Sequence, residues 1–227
     1  MLLVDTADPV LLADALAFPG VQGFTTNPTL IARAAGVESL SREDYVRAAR
    51  GLCGFAARTP AVRHFMIQAV GDGDEAVAQA AVYSGDIRPQ ANQTLWIKLA
   101  PTRASLGSCR RISELGCATL ATAVFTPTQA YVAMEAGADG VAVYLGRLMR
   151  AGGDWRAQLG QIVEIVREAE KLLLLASFQT RESIEAGLAF SRDLTLPPSL
   201  LEELLASAQA DAAMEAFDAR IVPTLRG

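Results

Sequence analysis

Short apolar runs alternate along the chain with longer segments in which apolar residues recur at helical spacing. This alternation is typical of repeated βα units. The runs predict eight strands, at Leu2–Asp5, Gly23–Thr26, Phe65–Val70, Leu95–Leu99, Thr119–Val124, Gly140–Tyr144, Leu172–Ser177 and Leu194–Leu196. Eight strands in 227 residues without a GxGxxG motif favour a closed (β/α)₈ barrel over an open doubly wound sheet.

Helix boundaries appear between these runs. Thr126-Pro127 is a helix start signal and predicts a helix over Pro127–Ala136. The glycines at 137 and 140 predict a helix stop before the next strand. A second helix is predicted over Trp155–Glu170 by its periodicity. The stretch from Val70 to Thr94 is expected to be a long loop.

The last part of the chain is mostly helical in pattern. We expect a C-terminal helix over about 200–220, within Pro198–Arg220, packed on the barrel or on a neighbouring subunit. No linker or low-complexity segment divides the sequence. Residues 1–227 are therefore expected to form a single (β/α)₈ TIM barrel domain with a C-terminal helical tail.

Composition and charge exclude several classes of function. With 51% hydrophobic and 20% charged residues the chain can bury a sizeable core. A formal net charge of −5 argues against a nucleic-acid partner. The longest basic run is the pair Arg110-Arg111, so the sequence does not support a membrane-binding patch either. The N-terminus MLLVDTADP has no basic flank, so we expect no signal peptide and a cytoplasmic protein.

The residues that most often bind metals do not form a metal-site pattern. Cys53, Cys109 and Cys117 lack CxxC spacing, so neither a disulfide framework nor a zinc site is expected. The single histidine, His64, precedes a strand and is interpreted as structural. We expect no metal site.

Polar side chains interrupt the predicted strands near their carboxyl ends, although buried parallel strands should be continuously apolar. Taken singly, each has a structural explanation: Asp5 as a helix cap, Asn27 as a turn residue, Thr122 as a β-former. Several such residues at one rim of a barrel instead predict a functional site. The residues are Asp5, Thr25, Thr26, Asn27, Gln68, Lys98, Thr122, Tyr144, Arg147 and Ser177.

One of these residues has a specific chemical meaning. Of 20 basic residues only two are lysines, Lys98 and Lys171, and Lys98 lies inside the apolar run LWIKLAPT. Arginine binds a carboxylate or phosphate as well as lysine does, but it cannot lose its proton and act as a nucleophile. Because burial disfavours a charged amine, Lys98 is expected to form a Schiff base with a carbonyl. A structural lysine with its amine in solvent is the alternative, and we adopt that interpretation for Lys171.

Five segments resemble the transaldolase family, and they occur in the family's order. They are GFTTNPTLI (23–31), WIKLAPT (96–102), ATAVFTPTQA (121–130), VAVYLGR (141–147) and ASFQT (176–180). The length is similar to that of the short transaldolase-like and fructose-6-phosphate aldolase branch. The resemblance implies a (β/α)₈ barrel and a cofactor-free enzyme of carbohydrate metabolism, such as the pentose phosphate pathway, acting on a sugar or sugar phosphate.

The resemblance also implies roles for individual residues. Lys98 matches the Schiff-base lysine, and Asp5 matches the carboxylate that serves carbon–carbon cleavage. Gln68, Thr122 and Tyr144 match catalytic positions that assist proton transfer, the first two by holding a water molecule. The remaining matches are substrate-binding positions: Thr26, Asn27 for a donor hydroxyl, and Arg147 with Ser177 for a phosphate.

Three positions distinguish branches of the family. Gln68, Ala142 and Tyr144 resemble the fructose-6-phosphate aldolases, whereas the longer transaldolases have glutamate, serine and phenylalanine there. One departure concerns the loop after Lys98, where Pro101 stands one place later than the family's proline. Because proline restricts its own and the preceding residue, the loop is expected to follow a different path.

We therefore expect a Schiff-base aldolase or transaldolase that releases or transfers a three-carbon dihydroxyacetone unit. The alternatives are the transaldolase reaction of the longer enzymes, between sedoheptulose 7-phosphate and glyceraldehyde 3-phosphate, and a degenerate barrel that only binds sugar phosphates. A phosphate-binding barrel isomerase is a weaker alternative, because no glycine-rich phosphate loop follows strands seven and eight. The resemblance further implies a homo-oligomer joined by C-terminal helices.

Overall fold

Eight parallel strands close into a barrel in chain order, as the sequence predicts. The computed structural model describes residues 1–85 and 92–221. The strands are β1 (Leu2–Asp5), β2 (Val21–Thr25), β3 (His64–Gln68), β4 (Thr94–Leu99), β5 (Ala118–Val124), β6 (Gly140–Val143), β7 (Leu172–Leu175) and β8 (Leu194–Leu196). β8 pairs with β1, which closes the barrel and confirms the predicted (β/α)₈ fold.

Helices surround the barrel, and the main hydrophobic core lies between them and the strands. They are α1 (Pro9–Ala15), α2 (Pro28–Ala34), α3 (Arg42–Arg58), α4 (Gly73–Gly85), α5 (Arg103–Leu106), α6 (Cys109–Ser113), α7 (Pro127–Glu135), α8 (Leu145–Ala151), α9 (Trp155–Glu168), α10 (Arg181–Leu188) and α11 (Ala208–Asp218). Within the described residues no helix is long and apolar enough to cross a membrane.

Several predicted boundaries are wrong, each for a local reason. β3 ends before Val70 because the Gln79 side chain, rather than a neighbouring strand, bonds both the N–H and the carbonyl of Val70. β7 ends before Ser177, whose φ of +68° is incompatible with a strand. α9 ends at Glu168 because Glu170 adopts a left-handed φ of +54°.

Two larger predictions also need correction. The expected long loop from 70 to 94 contains helix α4, and residues 86–91 of that stretch lie outside the described residues. The predicted helix over 200–220 is not continuous. It consists of two 3₁₀ turns at Pro198–Leu200 and Glu202–Leu204, followed by α11, which Ser207 caps by accepting a bond from the Ala210 N–H at 3.2 Å.

The barrel interior is filled by a second, smaller apolar cluster. One inward-facing residue comes from each of six strands: Leu3, Met66, Trp96, Leu120, Ala142 and Leu174. Side chains alternate between the two faces of a strand, so the residue two places further along also faces inward. At the amino end of the barrel, His64 accepts a hydrogen bond from Trp96 Nε1 at 3.3 Å, and burial lowers the pKa of His64.

Candidate active site

A cavity of about 1000 Å³ is lined by residues at the carboxyl ends of the strands. The inward alternation places polar residues there, two positions after the apolar cluster: Asp5 after Leu3, Gln68 after Met66, Lys98 after Trp96 and Tyr144 after Ala142. Eight of the predicted rim residues line this cavity: Asp5, Thr25, Asn27, Gln68, Lys98, Tyr144, Arg147 and Ser177. The sequence therefore located the rim at which these side chains meet.

Lys98 is buried in the barrel wall. Its side chain is only 4% exposed, and Nζ donates a hydrogen bond to the Thr26 carbonyl oxygen at 2.9 Å. No carboxylate in the described residues forms an ion pair with it. The amine therefore meets the cavity without a neutralising partner, with donor positions left for a reactant. Lys171, by contrast, is an exposed residue that pairs with Asp139 at 3.1 Å, consistent with a structural role.

Asp5 is held by a chain of hydrogen bonds through two threonines. Thr25 donates its hydroxyl proton to Asp5 Oδ1 at 2.6 Å, and Thr25 Oγ1 lies 2.8 Å from Thr195 Oγ1. Because a threonine hydroxyl has one proton, Thr195 must be the donor to Thr25 when Asp5 is ionised. No other hydrogen bond reaches the Asp5 side chain from residues 1–85 or 92–221, so its second oxygen is left for a reactant. Asp8, not Asp5, caps the following helix α1.

Two predicted residues are not among those that line the cavity. Thr26 and Thr122 are buried, at 0% and 2% exposed, and neither hydroxyl has a hydrogen-bond partner in the described part of the chain. Buried hydroxyls in folded proteins are nearly always hydrogen-bonded. Each of these hydroxyls therefore has a free position for a buried water molecule. The Thr26 carbonyl oxygen, in contrast, already accepts the hydrogen bond from Lys98.

Gln68 lies beside Lys98 in the β3–β4 register. Its backbone is fixed from outside the barrel, because the Tyr45 hydroxyl on α3 donates to the Gln68 carbonyl oxygen. Burial of Tyr45, which is 3% exposed, raises the pKa of its phenol well above the ordinary range. Tyr45 thus remains a neutral donor and holds the end of β3 in place.

Tyr144 and Arg147 form one aromatic and cationic group at the start of α8. The Arg147 guanidinium lies over the Tyr144 ring, 5.0 Å from its centroid, and Phe125 meets the same ring edge-on at 5.9 Å. Arg147 is exposed, so its stacked guanidinium can still reach an anion in the cavity. Ser177 lies on the loop after the neighbouring strand β7.

Three contributing residues escaped the sequence analysis. Thr195 was predicted only as part of strand β8, although a polar residue inside the run LTL was an available signal. Tyr45 falls on the apolar stripe of α3 and looks like a core residue. Gln179 also lines the cavity, and its position beside a loop gives no periodic signal.

The shifted proline lies outside the cavity lining. Thr102, which follows Pro101, caps α5 by accepting a bond from the Ser105 N–H at 3.3 Å, and its own N–H bonds the Ala100 carbonyl at 2.8 Å. Neither Ala100 nor Pro101 is among the residues that line the cavity. The expected change in the path of this loop, relative to the family, stays a prediction.

Comparison with solved structures reports on the fold. The chain is similar to a crystal structure of 2,3-dimethylmalate lyase, a PEP mutase/isocitrate lyase superfamily member, with a TM-score of 0.58 at 15% identity. The match covers 100% of this chain and 85% of that one. At this identity the likeness concerns the barrel alone.

Proteins related in sequence identify the family, which the solved structures do not. The chain is 27% identical over 221 residues to a probable transaldolase of Thermus thermophilus, covering 95% of both chains. It is 28% identical over 223 residues to probable transaldolase 2 of Bacillus anthracis, again covering 95% of both. A family model described as transaldolase/fructose-6-phosphate aldolase matches residues 2–224. The chain belongs to the transaldolase/fructose-6-phosphate aldolase family.

Proposed function

We propose that the protein forms a Schiff base through Lys98 and takes a three-carbon dihydroxyacetone unit from a ketose or ketose phosphate. The observation that carries this proposal is the buried Lys98 amine, which faces the cavity beside polar groups from other strands. Membership of a family whose relatives are named probable transaldolases supports it. A site that only bound sugar phosphates would not need a nucleophilic amine.

The first step is attack of the neutral Lys98 amine on the ketone carbon of the donor. The carbinolamine that results loses water and becomes an iminium. Asn27, which lines the cavity, holds a hydroxyl of the donor near Lys98. Thr26 supports the same step from behind the cavity wall, because its carbonyl oxygen accepts a hydrogen bond from the Lys98 amine. The iminium is an electron sink, so the proposed reaction draws on no further cofactor.

Cleavage of the carbon–carbon bond follows. The electrons of that bond move to the iminium and form an enamine. At the same time the hydroxyl group on the departing carbon loses its proton to Asp5, and that carbon becomes the carbonyl carbon of an aldehyde. The chain of hydrogen bonds through Thr195 and Thr25 orients the Asp5 carboxylate for this transfer. Because one oxygen of Asp5 is already bonded to Thr25, the other takes the proton.

A positioned water molecule assists the remaining proton transfers. Thr122 offers a buried hydroxyl without a partner in the described residues, and Gln68 and Tyr144 line the cavity. These three groups can hold a water that delivers protons during formation and hydrolysis of the iminium. Tyr144, stacked against Arg147, contributes a hydroxyl to the same proton transfers.

A phosphate at the far end of the substrate would bind Arg147 and Ser177. The guanidinium offers planar paired donors that match phosphate oxygens, and the serine adds a hydroxyl. Both residues line the cavity, Arg147 in the first turn of α8 and Ser177 on the loop that follows β7. Binding energy from this remote group would help to position the reacting carbon at Lys98.

The enamine has two outcomes. Protonation and hydrolysis release dihydroxyacetone, which is an aldolase reaction, and attack on an acceptor aldehyde is a transaldolase reaction. Gln68, Ala142 and Tyr144 favour release, so we propose fructose-6-phosphate aldolase-like activity. Transfer is the second candidate, favoured by the names of the curated relatives.

Product analysis separates these outcomes. The enzyme is incubated with fructose 6-phosphate, alone and with erythrose 4-phosphate, and Lys98→Arg serves as the control. Dihydroxyacetone formed without an acceptor supports the aldolase, whereas sedoheptulose 7-phosphate formed only with the acceptor supports the transaldolase. If wild type gives neither product, the proposed activity is refuted, and the degenerate barrel that only binds sugar phosphates becomes the leading alternative.

We also propose that the protein is a homo-oligomer. Every residue of α11 is exposed, and its apolar residues Met214 and Phe217 are each 56% exposed. An isolated helix of this length is marginal in water, so α11 needs a surface on which to pack. A second copy of the chain would provide that surface.

A further inference from the structure

Helix α8 and the loop after β7 touch backbone to backbone beside the proposed phosphate site. Gly146, next to Arg147, faces the Ser177 carbonyl so closely that a Cβ built on it would lie 1.9 Å from the oxygen and 2.9 Å from the carbon. Gly146 does not have a positive φ. Glycine is therefore required there for space rather than for backbone freedom.

The Ser177 side of this contact is constrained. Ser177 adopts a left-handed φ of +68°, which is unfavourable for a residue with a side chain. Its neighbours fix it there: the Ala176 N–H bonds the Val143 carbonyl at 2.9 Å, and Phe178 is 2% exposed. The loop therefore cannot move away from α8 without disturbing buried groups.

A second contact joins the same two segments. Arg150 Nη1 donates to Gln179 Oε1 at 2.8 Å. Arg150 follows Gly146 by four residues, so both lie on one face of α8. The loop is thus held to α8 by a backbone contact at Ser177 and a side-chain bond at Gln179.

We propose that Gly146 is a positioning residue that sets the distance between Arg147 and Ser177, and with it the preference for phosphorylated substrates. This inference rests on the proposed function of those two residues as a phosphate site. An alanine at 146 must push the Ser177 backbone about an ångström away from α8, because real Cβ atoms do not approach other atoms within 3.0 Å. Asp5 on β1 and Lys98 on β4 are expected to keep their positions.

Gly146→Ala tests the proposal, with Gly160→Ala as its matched control. Gly160 lies inside α9, and a Cβ added there meets nothing within 4 Å. We expect Gly146→Ala to raise KM for fructose 6-phosphate at least tenfold and to change KM for unphosphorylated dihydroxyacetone less than twofold. Equal changes for both substrates, or no change for either, would overturn the proposal.

Binding without turnover provides a second readout. Calorimetry with glycerol 3-phosphate, compared with glycerol, measures the phosphate contribution even if no reaction occurs. We expect at least a tenfold loss of glycerol 3-phosphate affinity in Gly146→Ala and none in Gly160→Ala. Unchanged affinity in Gly146→Ala would contradict the positioning role whatever the reaction is.

A milder variant covers the case in which Gly146→Ala does not fold. Arg150→Gln removes an exposed guanidinium from Gln179 and should weaken glycerol 3-phosphate binding about threefold, whereas Arg110→Gln on α6 should not. Equal affinities in both variants would overturn the proposal. Borohydride trapping of dihydroxyacetone on the wild-type protein separates this inference from the proposed function. If wild type traps no dihydroxyacetone, the proposed function is refuted. If wild type traps it and Gly146→Ala binds glycerol 3-phosphate as tightly as wild type does, only the role of Gly146 is refuted.

Discussion

At the scale of single residues, the cavity holds its proposed nucleophile and its proposed proton acceptor in different ways. Lys98 is buried with one hydrogen bond to a carbonyl, whereas Asp5 is oriented by Thr25 and Thr195. In the proposed mechanism the lysine makes the covalent bond, and the carboxylate moves a proton only afterwards. Removing the carboxylate should therefore leave the first step intact.

Asp5→Asn tests this division. An amide cannot accept the proton, so kcat should fall about 10²–10⁴-fold, the range typical of general acid–base catalysis. Borohydride should still trap the donor on Lys98. Asp154→Asn is the control, because Asp154 caps α9 outside the cavity and asparagine caps equally well. Loss of trapping in Asp5→Asn would show that Asp5 acts before the Schiff base forms.

The residues that the sequence located and those it missed differ in kind. Asp5, Gln68, Lys98 and Tyr144 were identified because a polar group in a buried strand is a conflict visible in the pattern. Tyr45 was missed because its ring packs in the core while its hydroxyl reaches a carbonyl 23 residues away in sequence. Such a long-range bond has no local pattern.

At the scale of elements, α3 supports the end of β3 through Tyr45. Tyr45→Phe leaves the Gln68 carbonyl without this donor, so the free energy of unfolding should fall by about 1–2 kcal/mol. Denaturant unfolding measures it. Tyr131→Phe should change stability by less than about 0.5 kcal/mol, because Tyr131 is 55% exposed. Equal losses in the two variants would contradict the support role.

Element boundaries were harder to predict than element types. The strands were found in the predicted order, but their carboxyl ends were misplaced at Val70 and Ser177. There, backbone groups bond side chains or adopt a left-handed conformation, and neither event changes hydrophobic periodicity. The tail was misjudged for a related reason: a helical pattern does not show where Ser207 starts a new helix.

At the scale of the whole molecule, buried thiols make stability depend on pH. Burial raises the pKa of Cys53 to about 12, and the pKa values of Cys109 and Cys117 are raised for the same reason. Because these pKa values are raised only in the folded protein, the thiols of the unfolded chain lose their protons at a lower pH than the buried thiols do. The stability contributed by these thiols is complete below about pH 8.5, the ordinary thiol pKa, and is lost as the pH rises.

Denaturant unfolding at pH 8 and pH 10 measures the effect. Wild type should lose free energy of unfolding between the two values, and Cys53→Ala should lose about 1 kcal/mol less. Leu52→Ala, a buried change on the same helix without a titrating group, should lose as much as wild type. The same loss in all three proteins would contradict a buried neutral thiol at Cys53.

The exposed tail predicts the behaviour of the molecule in solution. Light scattering should give a mass well above the 24.0 kDa of one chain, and truncation after Ala206 should reduce it to a monomer. The double variant Met214→Ser with Phe217→Ser should also lower the mass measured by light scattering. Tyr131→Ser with Val132→Ser alters exposed apolar residues of α7 and should leave the oligomer intact. An oligomer that survives the truncation would exclude assembly through α11.

The proposed mechanism depends on a covalent intermediate at Lys98. Intact-mass spectrometry after incubation with dihydroxyacetone and borohydride tests it most directly, with peptide mapping to place the adduct. We predict one three-carbon adduct per chain, on the peptide that contains Lys98, and none in Lys98→Arg. An adduct on Lys171, or none on wild type with either dihydroxyacetone or fructose 6-phosphate, would refute a Schiff base at Lys98.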